Sequence, residues 1–155
     1  MGEGGIWQFT CMAFGLSAAP WVFTKLLRPV TSWLRARGVR IVAYLDDFFV
    51  CGPSLEKVRE SLSVLRAILE WLGFVINDEK SVEIPTQQLE FLGFMIDSNL
   101  MTLSLTEKKR ASISTIFSGL LRAKRVSARE LASALGLMFW STLAVAYAQA
   151  HYRNI

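Results

Sequence analysis

The stretch Val42-Ala43-Tyr44-Leu45-Asp46-Asp47-Phe48-Phe49-Val50 limits what this chain can fold into more than any other. Two adjacent carboxylates interrupt an otherwise apolar, β-branched and aromatic run. Apolar runs of this kind read as buried strands. Like charges at the junction of two such strands are costly to keep dry, so water at a turn or bound cations must compensate them. The plainer reading is a tight hairpin turn, where Asp tolerates positive φ and bonds nearby backbone. The other is a divalent-metal site, because hard cations take carboxylate oxygens and Mg²⁺ typically uses one or two of them together with substrate phosphates. The readings are compatible: a hairpin tip between buried strands holds carboxylates rigidly.

The rest of the composition narrows the setting. A length of 155 residues suits one domain or a domain and a half. A hydrophobic content of 52% supplies ample core and leaves apolar surface that expects a partner. The net charge of +4 fits a polyanionic partner. Cys11 and Cys51 offer neither a disulfide framework nor metal-ligand spacing, so a reducing, intracellular compartment (cytoplasm or nucleus) is the default. Met1 to Gly5 lacks the basic region and apolar core of a signal peptide.

Periodicity and punctuation place the elements. Ile6 to Met12 reads as a short strand. Ser17 as cap and Pro20 in the first turn open a helix running to about Arg37, with Trp21, Phe23, Leu26, Leu27, Val30 and Leu34 mostly buried. Pro29 inside it predicts a kink, and Gly38 ends it. Val39–Tyr44 and Phe48–Cys51 form the arms of a hairpin around Asp46-Asp47. Ser54 caps a second helix, whose Leu55, Val58, Leu62, Leu65, Leu69 and Leu72 recur at spacings of three and four, and Gly73 stops it. Phe74-Val75-Ile76, Gln88 to Ile96 and Leu100 to Leu103 read as strands, with a turn at Asp97-Ser98-Asn99. Thr106 caps a third helix with Ile113, Ile116, Phe117, Leu120 and Leu121 on its apolar face. Ser127 and Glu130 form a capping box opening the last helix. Leu131 to Ala150 carries no charge and is long enough to span a bilayer. Its Ser133, Gly136, Ser141, Thr142 and Gln149 fit a helix buried between protein elements better than one facing lipid.

Four motifs then stand in order. Tyr44-Leu45-Asp46-Asp47 between hydrophobic strands resembles the active-site motif of reverse transcriptases. Cys11 to Phe23, with Phe14-Gly15-Leu16-Ser17-Ala18-Ala19-Pro20 at its centre, resembles the family's preceding glycine turn into a helix. Leu72-Gly73-Phe74-Val75-Ile76 with Lys80 just after is similar to the next motif, and Phe91-Leu92-Gly93-Phe94 to the hairpin called the primer grip. The wording of the chain, including Ser127 to Ser133, is most similar to polymerases of retrotransposons of the DIRS type. The resemblance implies an α+β fold: a partial polymerase palm over residues 1–103, with an antiparallel sheet and two packed helices, then a helical thumb-like segment over 104–155.

It also implies roles. Asp46 would be a direct ligand of Mg²⁺ or Mn²⁺ and Asp47 its less direct companion. Lys80 would sit near the triphosphate as a cation and proton donor, its plain alternative being a solvated turn lysine. Phe14, Gly15 and Leu16 would line the incoming dNTP and templating base, and a glycine there lets backbone approach closely. Tyr44, Phe91, Leu92 and Gly93 would hold the primer; an ordinary core strand is the alternative for the last three. Lys108, Lys109 and Arg110, with Arg122, Lys124 and Arg125, would track phosphates of an RNA or DNA template–primer, where a solvated helix face is the commoner explanation.

The departures from the pattern point to a truncated polymerase. The family's two-metal site also takes an aspartate from a strand well before the glycine turn. Glu3 is the one acid ahead of that turn here and lies too close to it. The resemblance therefore implies an incomplete catalytic site, inactive alone, with the missing N-terminal polymerase portion as a partner. Ala13 stands where retroelement sequences usually carry proline, which bears on the rigidity of that turn. A non-catalytic nucleic-acid-binding module and a single-span membrane protein are the competing classes.

Overall fold

The computed structural model describes residues 8–13, 15–145 and 147. Glu3, the start of the strand expected from Ile6, and Phe14 lie outside the described residues. So do residues 146 and 148–150 of the expected last helix. The described part is α+β, as expected, and divides into two compact units at Pro85/Thr86.

The first unit is built on helix α1, Ala19–Ala36. Pro20 sits in its first turn, where a missing N–H costs nothing. Ser17 is not the cap: the N-cap is Ala18, without a side-chain bond, so the helix starts one residue later than the capping residue the sequence suggested. Leu27, Thr31 and Leu34 are buried, with Phe23 and Val30 packed against them. Trp21 and Leu26, expected inside, are 65% and 60% exposed because they flank the buried stripe rather than lie on it. After Gly38 the chain enters β1, Arg40–Tyr44, which pairs antiparallel with β2, Asp47–Cys51. The Arg35 guanidinium donates from Nε and Nη2 to the Ile41 carbonyl, at 3.1 and 2.9 Å, and so fastens the end of α1 to the hairpin.

Helix α2, Leu55–Trp71, follows, with Ser54 as its N-cap accepting from the Lys57 N–H. Its Leu65 and Leu69 meet Leu27, Leu34 and Ile41 in one core cluster. Each of these five, nearly withdrawn from water, contributes on the order of 2 kcal/mol. Phe74-Val75-Ile76 is not a strand. Phe74 and Ile76 join the core, and Phe74 stands edge-on to Phe23 at 6.3 Å, while Val75 is 96% exposed. The alternation is strand-like, yet no ladder forms among the described residues; the Phe74 N–H donates to the Leu69 carbonyl at the end of α2, at 2.9 Å, and side-chain packing carries the path from there.

The second unit opens with a three-stranded antiparallel sheet, β3 (Gln88–Phe91), β4 (Phe94–Asp97) and β5 (Thr102–Leu105), with β4 central. The run read as one strand from Gln88 to Ile96 is thus a hairpin folded at Leu92-Gly93. Asp97 closes the next turn: Oδ1 accepts from the N–H groups of Asn99 and Leu100, both at 2.9 Å, and Oδ2 accepts from Gln88 Nε2 at 2.7 Å. These bonds, led by the Leu100 N–H, hold its carboxyl below the usual carboxylate range.

Helix α3, Glu107–Arg122, is capped by Thr106, and α4, Ala128–Ser141, by the complete Ser127–Glu130 capping box. No residue of α3 is buried, and Leu121, expected on its apolar face, is 88% exposed. The last helix is shorter than expected from the charge-free stretch Leu131 to Ala150. It ends at Ser141, where the hydroxyls of Ser141 and Thr142 donate to the carbonyls of Met138 and Phe139 and offer the backbone an alternative to another turn. No helix among the described residues is long and apolar enough to cross a membrane.

Candidate active site

The hairpin places the acidic pair asymmetrically. Leu45 and Asp46 make the two-residue turn, and Asp47 is the first residue of β2, facing Tyr44 in the register. Ile41, Ala43, Phe48 and Val50 point to the core side, and Arg40, Val42, Tyr44, Asp47, Phe49 and Cys51 to the other. Tyr44 and Asp47 therefore share a face, and Tyr44 is 56% exposed. Both carboxylates are exposed, and neither forms a side-chain hydrogen bond or ion pair among the described residues. Leu45 has φ of 53°. A bulky residue seldom takes that conformation, which costs of the order of 1–2 kcal/mol, and such strain collects at functional sites.

As a donor set the tip suits a hard divalent cation: two carboxylates free of competing partners among the described residues, with coordination positions left for substrate oxygens. It is not a closed cage, since among the described residues no group of three or more His, Cys, Asp or Glu could hold a metal.

The other expected residues of this unit lie on its loops. Gly15, with φ of +90°, has no atom within 4 Å of where a Cβ would stand, so the backbone before α1 is open to close approach. Leu16 is 54% exposed. Lys80 sits in a tight turn. Its N–H donates to the Asn77 backbone carbonyl and side-chain Oδ1, both at 3.2 Å, and its ammonium is exposed. Arg66 on α2, which lies off the Leu55–Leu72 stripe, reaches this loop. It pairs with Asp78 at 2.9 Å, with Glu83, and with Glu70 of its own helix at 2.8 Å. The bond to Asp78 first, then that to Glu70, raise its pKa above an already high value, so the guanidinium stays charged at any working pH.

In the second unit the expected primer-binding turn is built from three elements. Leu92 and Gly93 have φ of 51° and 82°, the positive values that a primed two-residue hairpin turn demands. The Gly93 carbonyl accepts from the Thr106 N–H at 3.3 Å, which ties the turn to the start of α3. A Cβ on Gly93 would lie 3.1 Å from Lys109 Cε and 3.3 Å from two ring carbons of Trp140. Trp140 in turn stacks at a tilt on Phe94, centroids 4.4 Å apart, with the Lys109 ammonium 5.5 Å from its ring. Trp140 went unmarked in the sequence because nothing local to α4 points to a turn so far back along the chain. Lys109 is thus brought to the Leu92-Gly93 turn, whereas Lys108 and Arg110 stand exposed, Arg110 pairing with Glu107 at 3.5 Å.

Residues 1–96 match the family model described as reverse transcriptase (RNA-dependent DNA polymerase), well over half of the chain. The chain belongs to the reverse transcriptase family. Over 99 residues it is 26% identical to Protein P of duck hepatitis B virus, covering 63% of this chain and 12% of that protein. Over 94 residues it is 31% identical to the Pol polyprotein of equine infectious anemia virus, covering 59% of this chain and 8% of that one. An uncharacterized protein of Caenorhabditis elegans is 31% identical over 91 residues, 59% of this chain and 7% of its own length. The chain thus spans about an eighth or less of these curated relatives. Reverse transcriptases are nucleotidyltransferases that use divalent metal ions, and both properties belong to the family as a whole.

Proposed function

We propose that this chain is a fragment of a retrotransposon reverse transcriptase, of the DIRS type, comprising part of the palm (1–103) and a thumb-like segment (104–155). The observation that carries the reading is the strained hairpin tip, which sets Asp46 and Asp47 side by side, exposed and without partners among the described residues. Asp46 is the direct metal ligand and Asp47 the companion. When bound, Mg²⁺ or Mn²⁺ would supply activation of the primer 3′-hydroxyl and stabilisation of the leaving pyrophosphate. Tyr44, on the same face as Asp47, supports the primer terminus. The open backbone at Gly15 and the exposed Leu16, with Phe14, border the incoming nucleotide. Lys80 meets its triphosphate. Phe91, Leu92 and Gly93 grip the primer, with Lys108, Lys109 and Arg110 on its phosphates.

With two carboxylates rather than a full cage, this chain alone binds metal weakly and does not extend a primer. The third carboxylate comes from an upstream strand of the whole polymerase. Mn²⁺ titration followed by electron paramagnetic resonance tests this. Wild type should show one weak site that Asp46→Asn abolishes. Binding unchanged in Asp46→Asn sinks the assignment, and robust primer extension by the purified chain sinks the inactivity.

A further inference from the structure

Lys80 owes its place to residues far from it in sequence. The loop after α2 has neither strand nor helix from Phe74 to Gln87, and most of it is exposed. Such a segment lacks the burial that keeps backbone ordered. Two devices replace burial. Asn77 folds the loop back: its carbonyl accepts from the N–H groups of Lys80 and Ser81 at 3.2 and 3.1 Å and from Ser81 Oγ at 2.8 Å, while its Oδ1 accepts from Lys80 N–H. Arg66 then holds both ends of that fold, binding Asp78 before Lys80 and Glu83 after it, with Glu70 fixing the guanidinium from one helical turn away. The planar fork of arginine holds its N–H donors in fixed directions toward the three carboxylates. A single surface ion pair is worth little, but two that share one guanidinium and bracket Lys80 from Asp78 and Glu83, with Glu70 holding that guanidinium, restrain the loop jointly. The clamp engages Asp78 and Glu83 on either side of Lys80, while Glu79 beside it stays exposed.

We propose that Arg66 is a positioning residue for Lys80: by clamping Asp78 and Glu83 it fixes the turn from which Lys80 meets a nucleotide triphosphate. The nucleotide half rests on the function proposed above, and the clamp does not.

The test uses the full chain, with Arg66→Gln, Arg66→Lys and the pair Asp78→Asn/Glu83→Gln. Far-UV circular dichroism confirms that α2 persists. Amide exchange at Lys80 and Ser81 should accelerate about tenfold in Arg66→Gln and in the Asp78/Glu83 pair, as for opening of a loop held by a few surface bonds. Arg66→Lys, which keeps the charge but loses the fork, should fall between. Unchanged exchange in Arg66→Gln overturns the clamp. In parallel, acylation of Lys80 is followed by mass spectrometry with and without dTTP and Mg²⁺. Protection in wild type that is lost in Arg66→Gln supports the positioning role, and equal protection in both overturns it. No protection in wild type overturns the nucleotide role of Lys80 itself, with the clamp then judged by exchange alone.

Discussion

Gly93→Ala is the substitution whose cost can be worked most directly from the structure. At φ of +82° an alanine sits in the left-handed region, which costs about 1–2 kcal/mol. The stiffer unfolded chain returns about 0.4–1 kcal/mol, leaving a net cost near 1 kcal/mol. The new methyl would stand 3.1 Å from Lys109 Cε and 3.3 Å from two Trp140 carbons. Lys109 can swing away, but the Trp140 ring lies against Phe94 and yields less readily. Crowding of this sort adds on the order of 1 kcal/mol, for a total of about 2 kcal/mol. Gly73→Ala is the control: φ is +85° but nothing lies within 4 Å, so only the net strain of about 1 kcal/mol remains. Trp140→Leu supplies the second arm, since in that background the methyl finds room and the two changes should couple by about 1 kcal/mol. Amide exchange at Phe91 and Phe94, the pair that closes the turn, reads the stability of this unit by itself. If Gly93→Ala costs the same in the Trp140→Leu background as in wild type, the ring does not support the turn and its placement against Gly93 is wrong.

Two further outcomes follow from packing and charge. Leu34 is fully buried at the centre of the first unit's core, so Leu34→Ala should cost about 2–5 kcal/mol in urea unfolding, and a loss well under that would mean the core closes without it. Asp97 has its carboxyl pKa lowered by native hydrogen bonds. Its contribution is therefore complete above the unfolded value and lost as pH falls through the native one. Stability of the second unit should decline below about pH 4, and Asp97→Asn should flatten that acid limb of a pH–stability profile.

What could be read ahead of the structure was whatever local chemistry dictates. Ser54, Thr106 and the Ser127–Glu130 box are caps, and each helix starts beside them. The carboxylate pair between apolar runs does mark a hairpin, although its two-residue turn is Leu45-Asp46 and Asp47 already belongs to β2. Ser17 misled by one residue, since a helix can begin with an uncapped alanine when Pro20 already presets its first turn. Phe74 to Ile76 misled more deeply. Period two says which side chains face inward, and it was right about Phe74 and Ile76, but it does not say that a neighbouring strand is there to pair with. Trp21 and Leu26 show the related limit that an apolar residue beside a buried stripe can remain exposed, and Leu121 that an apolar helix face need not be buried at all.

The residues that escaped sequence reading share one property: they act across distance along the chain. Arg66 meets Asp78 and Glu83 from the helix before them, and Trp140 meets a turn that precedes β4. Helical periodicity can sort such residues by face, but it does not say which distant segment that face will meet. The motif residues themselves are small, strained or exposed: a glycine, a positive-φ leucine, surface lysines and aspartates. None can fix its own position. Besides their own backbone bonds, the turns Leu92-Gly93 and Asn77–Ser81 each meet a helix side chain from elsewhere in the chain, Trp140 at the first and Arg66, through Asp78, at the second. Motifs therefore announce the chemistry in this family, while the residues that set its geometry lie outside them.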